Sequence, residues 1–270
     1  MTEENRSILK QGAEALKEAC GKLKNRFTTA IIVAAGESTR MGGPVPKQFL
    51  PICGMPAVVH ALKAYNASAY IDSIVAVVRK EDTDLYREYA DSFGIDKLKI
   101  ITEGGETRQD SVLKGVEAIE HDAVLGKKTA YIAIADGARP LTTPQMIDSV
   151  CLAAYRFGAA TAASRSADTV KTVGVKGGER DFISSTVERD EVRLVTTPQV
   201  FSLNIYRAAA YSAMEAGFTG TDDNSLVERI ERPVKVVDVG RFNIKLTEPD
   251  DLIIAEALMK KRLAEASQCE

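Results

Sequence analysis

The chain has 270 residues, 45% of them hydrophobic, enough to bury the core of one large domain or two small ones. Its formal net charge of −3 argues against a general nucleic-acid binder, and no apolar run approaches the roughly 18 residues of a membrane span. The four cysteines, Cys20, Cys53, Cys151 and Cys269, lack the close spacing of a metal site or disulfide framework and read as thiols of a reducing cytoplasm.

Taken in chain order, residues 7–24 pattern as an amphipathic helix, with Leu9, Ala13, Leu16, Cys20 and Leu23 recurring at spacings of four and three. Such a helix fits the outside of a domain or an oligomer contact. Glu3, Glu4, Glu14 and Glu18 without an apolar stretch argue against a secretory or transit peptide. Ala30–Ala35 is wholly apolar and ends at a glycine, as a buried parallel strand does. A helix is expected over Pro56–Ala67, a strand over Ile71–Val78, a charged helix over Asp82–Phe93 and a strand over Leu98–Thr102. Thr107–Ile119 follows as a helix, Ala130–Ala135 as a strand and Pro144–Phe157 as a helix. This alternation is the signature of a Rossmann-like, doubly wound, mostly parallel α/β sheet.

The alternation then breaks. Val170–Val175 and Phe182–Val187, joined by Lys176-Gly-Gly-Glu179, predict a β-arm at about 165–195. A lone two-stranded arm is marginal, so it is expected to lean on something, with a second subunit as the candidate. Helices near Leu203–Ala216 and Asp222–Ile230, a strand at Val234–Val239 and a helix from Pro249 to about Ala266 complete the chain. The organisation expected is an extension over residues 1–26 and a single domain over 27–270.

Ligands of open parallel sheets lie beyond the carboxyl ends of the strands. Three such ends carry polar residues. The first, from Ala34, Ala35 and Gly36 to Lys47, combines small residues that admit a ligand to the backbone with two cations, Arg40 and Lys47. A triphosphate needs that combination; an ordinary Gly-Pro loop is the alternative. Neither Gly-x-Gly-x-x-Gly nor Gly-x-x-x-x-Gly-Lys-Ser/Thr is present. The second end, Gly104-Gly-Glu-Thr-Arg-Gln-Asp-Ser111, opens a helix and suits a base or ribose, or is a plain capped start. At the third, Ala135-Asp-Gly-Ala-Arg-Pro140, Asp136 is placed to bind Mg²⁺ and Arg139 to meet a phosphate, unless Asp136 merely caps a turn. His60 falls in a predicted helix and His121 in a charged loop, and no Ser/His/Asp or Cys/His set assembles. A phosphate monoester nucleophile, already ionised near neutral pH, needs no general base.

These segments, with Asp168-Thr-Val-Lys171, Thr186-Val-Glu-Arg189, Thr197-Pro-Gln199, Thr221-Asp-Asp223 and Asn243-Ile-Lys245, run in one order from about Thr28 to Met259. The ordered set resembles the 2-C-methyl-D-erythritol 4-phosphate cytidylyltransferases. The resemblance implies CMP transfer from CTP to 2-C-methyl-D-erythritol 4-phosphate, with release of pyrophosphate, in the non-mevalonate route to isoprenoids, a nucleotidyltransferase-type fold, and a homodimer joined through the arms. It implies that Arg40, Lys47 and Lys245 act on the phosphates and that Asp136 holds Mg²⁺. Ala34, Ala35, Gly36, Gly105, Glu106 and Ser111 would line the cytidine pocket. Arg139, Thr169, Arg189 and Thr221 would meet the sugar phosphate, Thr169 and Arg189 in the neighbouring subunit's site. Ala135 stands where many members carry histidine, and Val187-Glu-Arg189 where they carry Val-Asp-Arg. Gly240-Arg-Phe-Asn-Ile-Lys245 is also similar to ribitol-5-phosphate cytidylyltransferases, which makes a polyol phosphate the alternative acceptor. A nucleotide-binding protein without catalysis ranks lower, because Arg40, Lys47 and Asp136 are all present.

Overall fold

In the computed structural model of the protein, which describes residues 26–36, 45–176 and 178–267, the first apolar run forms strand β1 (Thr28–Val33). It pairs in parallel with β4 (Ser73–Val78) on one side and β6 (Tyr131–Asp136) on the other, and β5 (Leu98–Glu103) extends the sheet beyond β4. Past β6 come antiparallel β10 (Arg193–Ser202), then β7 (Ala159–Arg165) and β11 (Lys235–Asp238) at the edge. The order β11-β7-β10-β6-β1-β4-β5 puts β1 where successive crossovers change direction, the place at which such sheets open a crevice.

Side chains alternate between the faces, as the strand period of two requires. Ala30, Ile32, Ala76, Ala133 and Ala135 meet helices α1 (Ala57–Ala67), α2 (Thr83–Phe93) and α5 (Pro144–Phe157) through Leu62, Tyr65, Tyr86, Ile147 and Val150. Ile31, Val75, Val77, Ile132 and Ile134 meet α3 (Arg108–His121), α4 (Leu125–Lys128), α6 (Leu203–Glu215) and α7 (Asp223–Arg229). Two covered faces explain why these strands are continuous apolar runs rather than alternating ones. A third cluster packs Ile52, Leu141 and Leu246 with Ala255 of the last helix, α8 (Pro249–Ser267); Ile52 lies in the short hairpin of β2 (Pro51–Ile52) and β3 (Met55–Pro56). Among the described residues no helix is long and apolar enough to cross a membrane.

Two strands of the main sheet lie where the sequence pattern marked none. In β7, alanine, a poor strand former, fills the buried positions 159, 160, 162 and 163. In β10, Pro198 removes a ladder donor, and pairing with β7 slips between Val195 and Gln199. His121 is the last residue of α3 and not part of a loop. The helix expected over residues 7–24 lies outside the described residues.

The arm is present as β8 (Lys171–Lys176) and β9 (Glu179–Thr186), an antiparallel pair separate from the main sheet, turning near Gly178 at φ +89°. Its apolar side chains Val173, Val175, Phe182 and Ile183 are exposed, and no arm residue belongs to any of the three apolar clusters.

Candidate active site

The loops that follow β1, β5 and β6 converge on a cavity of about 510 Å³. Ala34, Ala35 and Gly36 form one wall, and the Ala34 N–H still donates to Val77 O at 2.8 Å, so this wall is anchored to β4. Gly104 lets the β5 loop come close: a Cβ there would sit 2.5 Å from Ala35 Cβ and 2.9 Å from Ser111 Oγ. Gly105, Glu106 and Ser111 complete that side. The start of α3 is fixed by a capping box in which Thr107 Oγ1 accepts from the Asp110 N–H while Asp110 accepts from the Thr107 N–H. Ser111 Oγ accepts from the Gly105 N–H at 3.1 Å and donates to Thr107 O at 2.9 Å, which holds the glycine loop over the helix N-terminus.

Lys47 and Gln48 enter the cavity from a short 3₁₀ turn, Lys47–Phe49, and Gln48 Nε2 donates to Ala34 O at 3.2 Å. Arg40 lies outside the described residues.

Asp136 ends β6, and three cations surround its carboxylate. Lys245 Nζ lies 3.0 Å and Arg139 Nε 3.2 Å from Oδ2, while Arg108 Nε lies 3.5 Å from Oδ1. Burial alone would raise this carboxyl, but Lys245, Arg108 and Arg139 outweigh it and hold the group at about 2, against an ordinary 3.8. Arg108 also reaches Asp223, with Nη1 2.7 Å from Oδ2. Among the described residues Oδ2 has no donor in good hydrogen-bond alignment, so Arg108 holds it chiefly as an ion pair. Burial pushes the Asp223 carboxyl above its ordinary value, against the pull of Arg108 and of Tyr206, whose hydroxyl donates to Oδ1 at 2.9 Å.

Lys245 is delivered by a segment stapled to the end of β6. Asn243, buried, donates from Nδ2 to Thr197 O at 2.7 Å and accepts at Oδ1 from Thr142 Oγ1 at 3.0 Å; its carbonyl accepts from Arg139 Nη1 at 2.6 Å. The Leu246 N–H donates to Ala138 O. Thr197 Oγ1 in turn accepts from the Asp136 N–H at 3.2 Å.

The fold therefore brings Ala34, Ala35, Gly36, Lys47, Gly105, Glu106, Ser111, Asp136 and Lys245 to one cavity. Arg139 stands behind Asp136 and braces it. Thr169 and Arg189 meet each other at 3.4 Å at the base of the arm, exposed and outside this cavity's lining. Thr221 is also exposed and outside it. Sequence reasoning assigned no role to Arg108, Asn243 or Asp223. All three lay within motifs, so their positions were visible; the burial of Asp223 was not, because an Asp at a helix start looks like a cap.

The family model for 2-C-methyl-D-erythritol 4-phosphate cytidylyltransferase (IspD) matches residues 28–261. The protein of that name from Pelotomaculum thermopropionicum is 42% identical over 241 residues, covering 88% of this chain and 97% of the relative. Its counterpart from Geobacillus kaustophilus is 37% identical over 236 residues, covering 87% and 98%. Among solved structures, 4-diphosphocytidyl-2C-methyl-D-erythritol synthase from Anaerococcus prevotii superposes with a TM-score of 0.73 at 28% identity, covering 87% of this chain and 98% of that one.

Proposed function

The chain belongs to the 2-C-methyl-D-erythritol 4-phosphate cytidylyltransferase family, and from that premise we propose that it joins CMP from CTP to 2-C-methyl-D-erythritol 4-phosphate, releasing pyrophosphate, in isoprenoid precursor synthesis. The observation that carries the proposal is the cavity itself, with glycine and alanine backbone on one side and Lys47 and Lys245 on the other. The small residues suit the face of a ribonucleoside, and the cations suit a polyphosphate.

In the reaction, an oxygen of the acceptor's phosphate bonds to the α-phosphorus of CTP. The bond from that phosphorus to the bridging oxygen of the β-phosphate breaks, and its electron pair leaves with pyrophosphate. The nucleophile is already anionic, so the site's task is to position two anions and offset the charge that builds between them. Lys47 and Lys245 supply fixed positive charge, and Arg40 is assigned the same role. Asn243 and Arg139 keep Lys245 and Asp136 in register with the cavity floor.

Asp136 is the residue to hold Mg²⁺. The fit is sound: Mg²⁺ takes one or two carboxylates and fills its remaining positions with phosphate oxygens and water. Among the described residues Asp136 Oδ1 meets only Arg108, at 3.5 Å. An ion held there by Asp136 would offset the negative charge of the phosphates. The sugar phosphate is assigned to Arg139, Thr169, Arg189 and Thr221. The exposure of Thr169 and Arg189 at the arm supports their service to a second copy, and the apolar arm surface supports a homodimer.

Phosphorus NMR of wild-type protein with CTP, Mg²⁺ and the acceptor tests the chemistry. The α-phosphorus should move into a diphosphate diester as pyrophosphate appears in equal amount. Accumulation of free CMP without the joined product would overturn the proposal.

A further inference from the structure

Asp223 does not line the cavity, yet it is the carboxylate to which Arg108 is tied most closely. It is 1% exposed, its Oδ1 accepts from the buried Tyr206 hydroxyl at 2.9 Å, and its N–H donates to Gln199 Oε1 at 3.1 Å. A carboxylate so buried is costly unless a cation and hydrogen bonds compensate it, so its retention beside a charged cavity calls for a role. The two oxygens of Asp136 are used unequally. Oδ2 is engaged by Lys245 and Arg139 at 3.0 and 3.2 Å, whereas among the described residues Oδ1 has only the 3.5 Å approach of Arg108, at the limit of a hydrogen bond. A guanidinium released from Asp223 would find Asp136 as its nearest anion, and its fork geometry favours closing on a carboxylate through two parallel bonds.

We propose that Asp223, oriented by Tyr206, is a positioning residue that draws Arg108 away from Asp136 and so keeps Oδ1 available to a divalent cation arriving with the nucleotide. The inference rests on the reading of the cavity as a CTP site. Asp223 acts through Arg108, with no contact of its own to nucleotide or ion.

Calorimetric titration of CTP with and without Mg²⁺ tests it, the readout being the factor by which Mg²⁺ tightens CTP binding. Asp223→Asn should reduce that factor about 10- to 100-fold, the usual cost of disturbing a residue that orients a metal ligand. Adding Arg108→Gln to Asp223→Asn should restore it, because no guanidinium is left to close on Asp136. A merely structural Asp223 would give no such rescue. An undiminished factor in Asp223→Asn, or a double variant as impaired as the single one, overturns the inference. If Asp223→Asn does not fold, Tyr206→Phe decides: it keeps the ring and releases Oδ1, and an unchanged factor there overturns the inference equally. A wild-type protein whose CTP binding ignores Mg²⁺ would instead remove the underlying reading, and the inference with it.

Discussion

Lys245, Arg108 and Arg139 crowd one carboxylate, so the ionisation of Asp136 leaves a mark on stability. Its carboxyl is depressed from 3.8 to about 2, which means the pairing contributes fully above pH 4 and is lost as pH falls toward 2. The shift corresponds to on the order of 2 kcal/mol. Without metal, Asp136→Asn should therefore melt below wild type at pH 7, with a gap that closes between about pH 4 and pH 2. Asp223, raised by burial, acts with the opposite sign, favouring the folded state at low pH. It is present in both proteins, so only the part of its shift that comes from Asp136, the least of its causes, enters the difference. A gap that stays constant over that range would show that Asp136 is not held by these cations. Lys47 makes a different case. It lies half-buried on a short turn at the cavity edge, where its loss removes little packing. Lys47→Ala should leave Tm within a few degrees of wild type and lower kcat/KM roughly 100- to 1,000-fold, the cost of removing one charge-stabilising donor. Retained turnover would take Lys47 out of the catalytic set.

At the scale of elements, the parts that built the site were legible in the sequence because each left a local signature. Ala30–Ala35 and Ala130–Ala135 were apolar runs ending in small or acidic residues, and Thr107 with Asp110 announced a helix start. The strands β7 and β10 left none. Ala159–Arg165 becomes a strand because β10 and β11 pair with it on both sides and its alanines are buried, a tertiary reason that propensity cannot carry. Pro198 hid β10 in the same way. The Asn243 staple was within sight as part of a motif, but its partners Thr142 and Thr197 lie 101 and 46 residues away in sequence. The arm was legible as a hairpin, and its exposure carries a consequence. Val173 and Ile183 face each other across β8 and β9, both more than half exposed. If the arm joins two copies, Val173→Asp with Ile183→Asp should turn a dimer into a monomer in analytical ultracentrifugation, while Tm of the separate main sheet changes little. A wild-type monomer at micromolar concentration, or a dimer indifferent to both substitutions, would reject the arm as the interface.

For the whole molecule, one sheet brings residues from four distant segments to a single cavity, and the chemistry at that cavity follows from charge and backbone approach rather than from any nucleophilic side chain. The nucleotide side of the site is built largely from described residues of this chain. The acceptor side draws on Thr169 and Arg189, which stand apart from the cavity. Pyrophosphate release with CTP and Mg²⁺ should therefore be compared for 2-C-methyl-D-erythritol 4-phosphate and ribitol 5-phosphate. Turnover with the first and none above background with the second is the expected result; turnover with ribitol 5-phosphate alone, or with neither in protein that binds CTP, would contradict it.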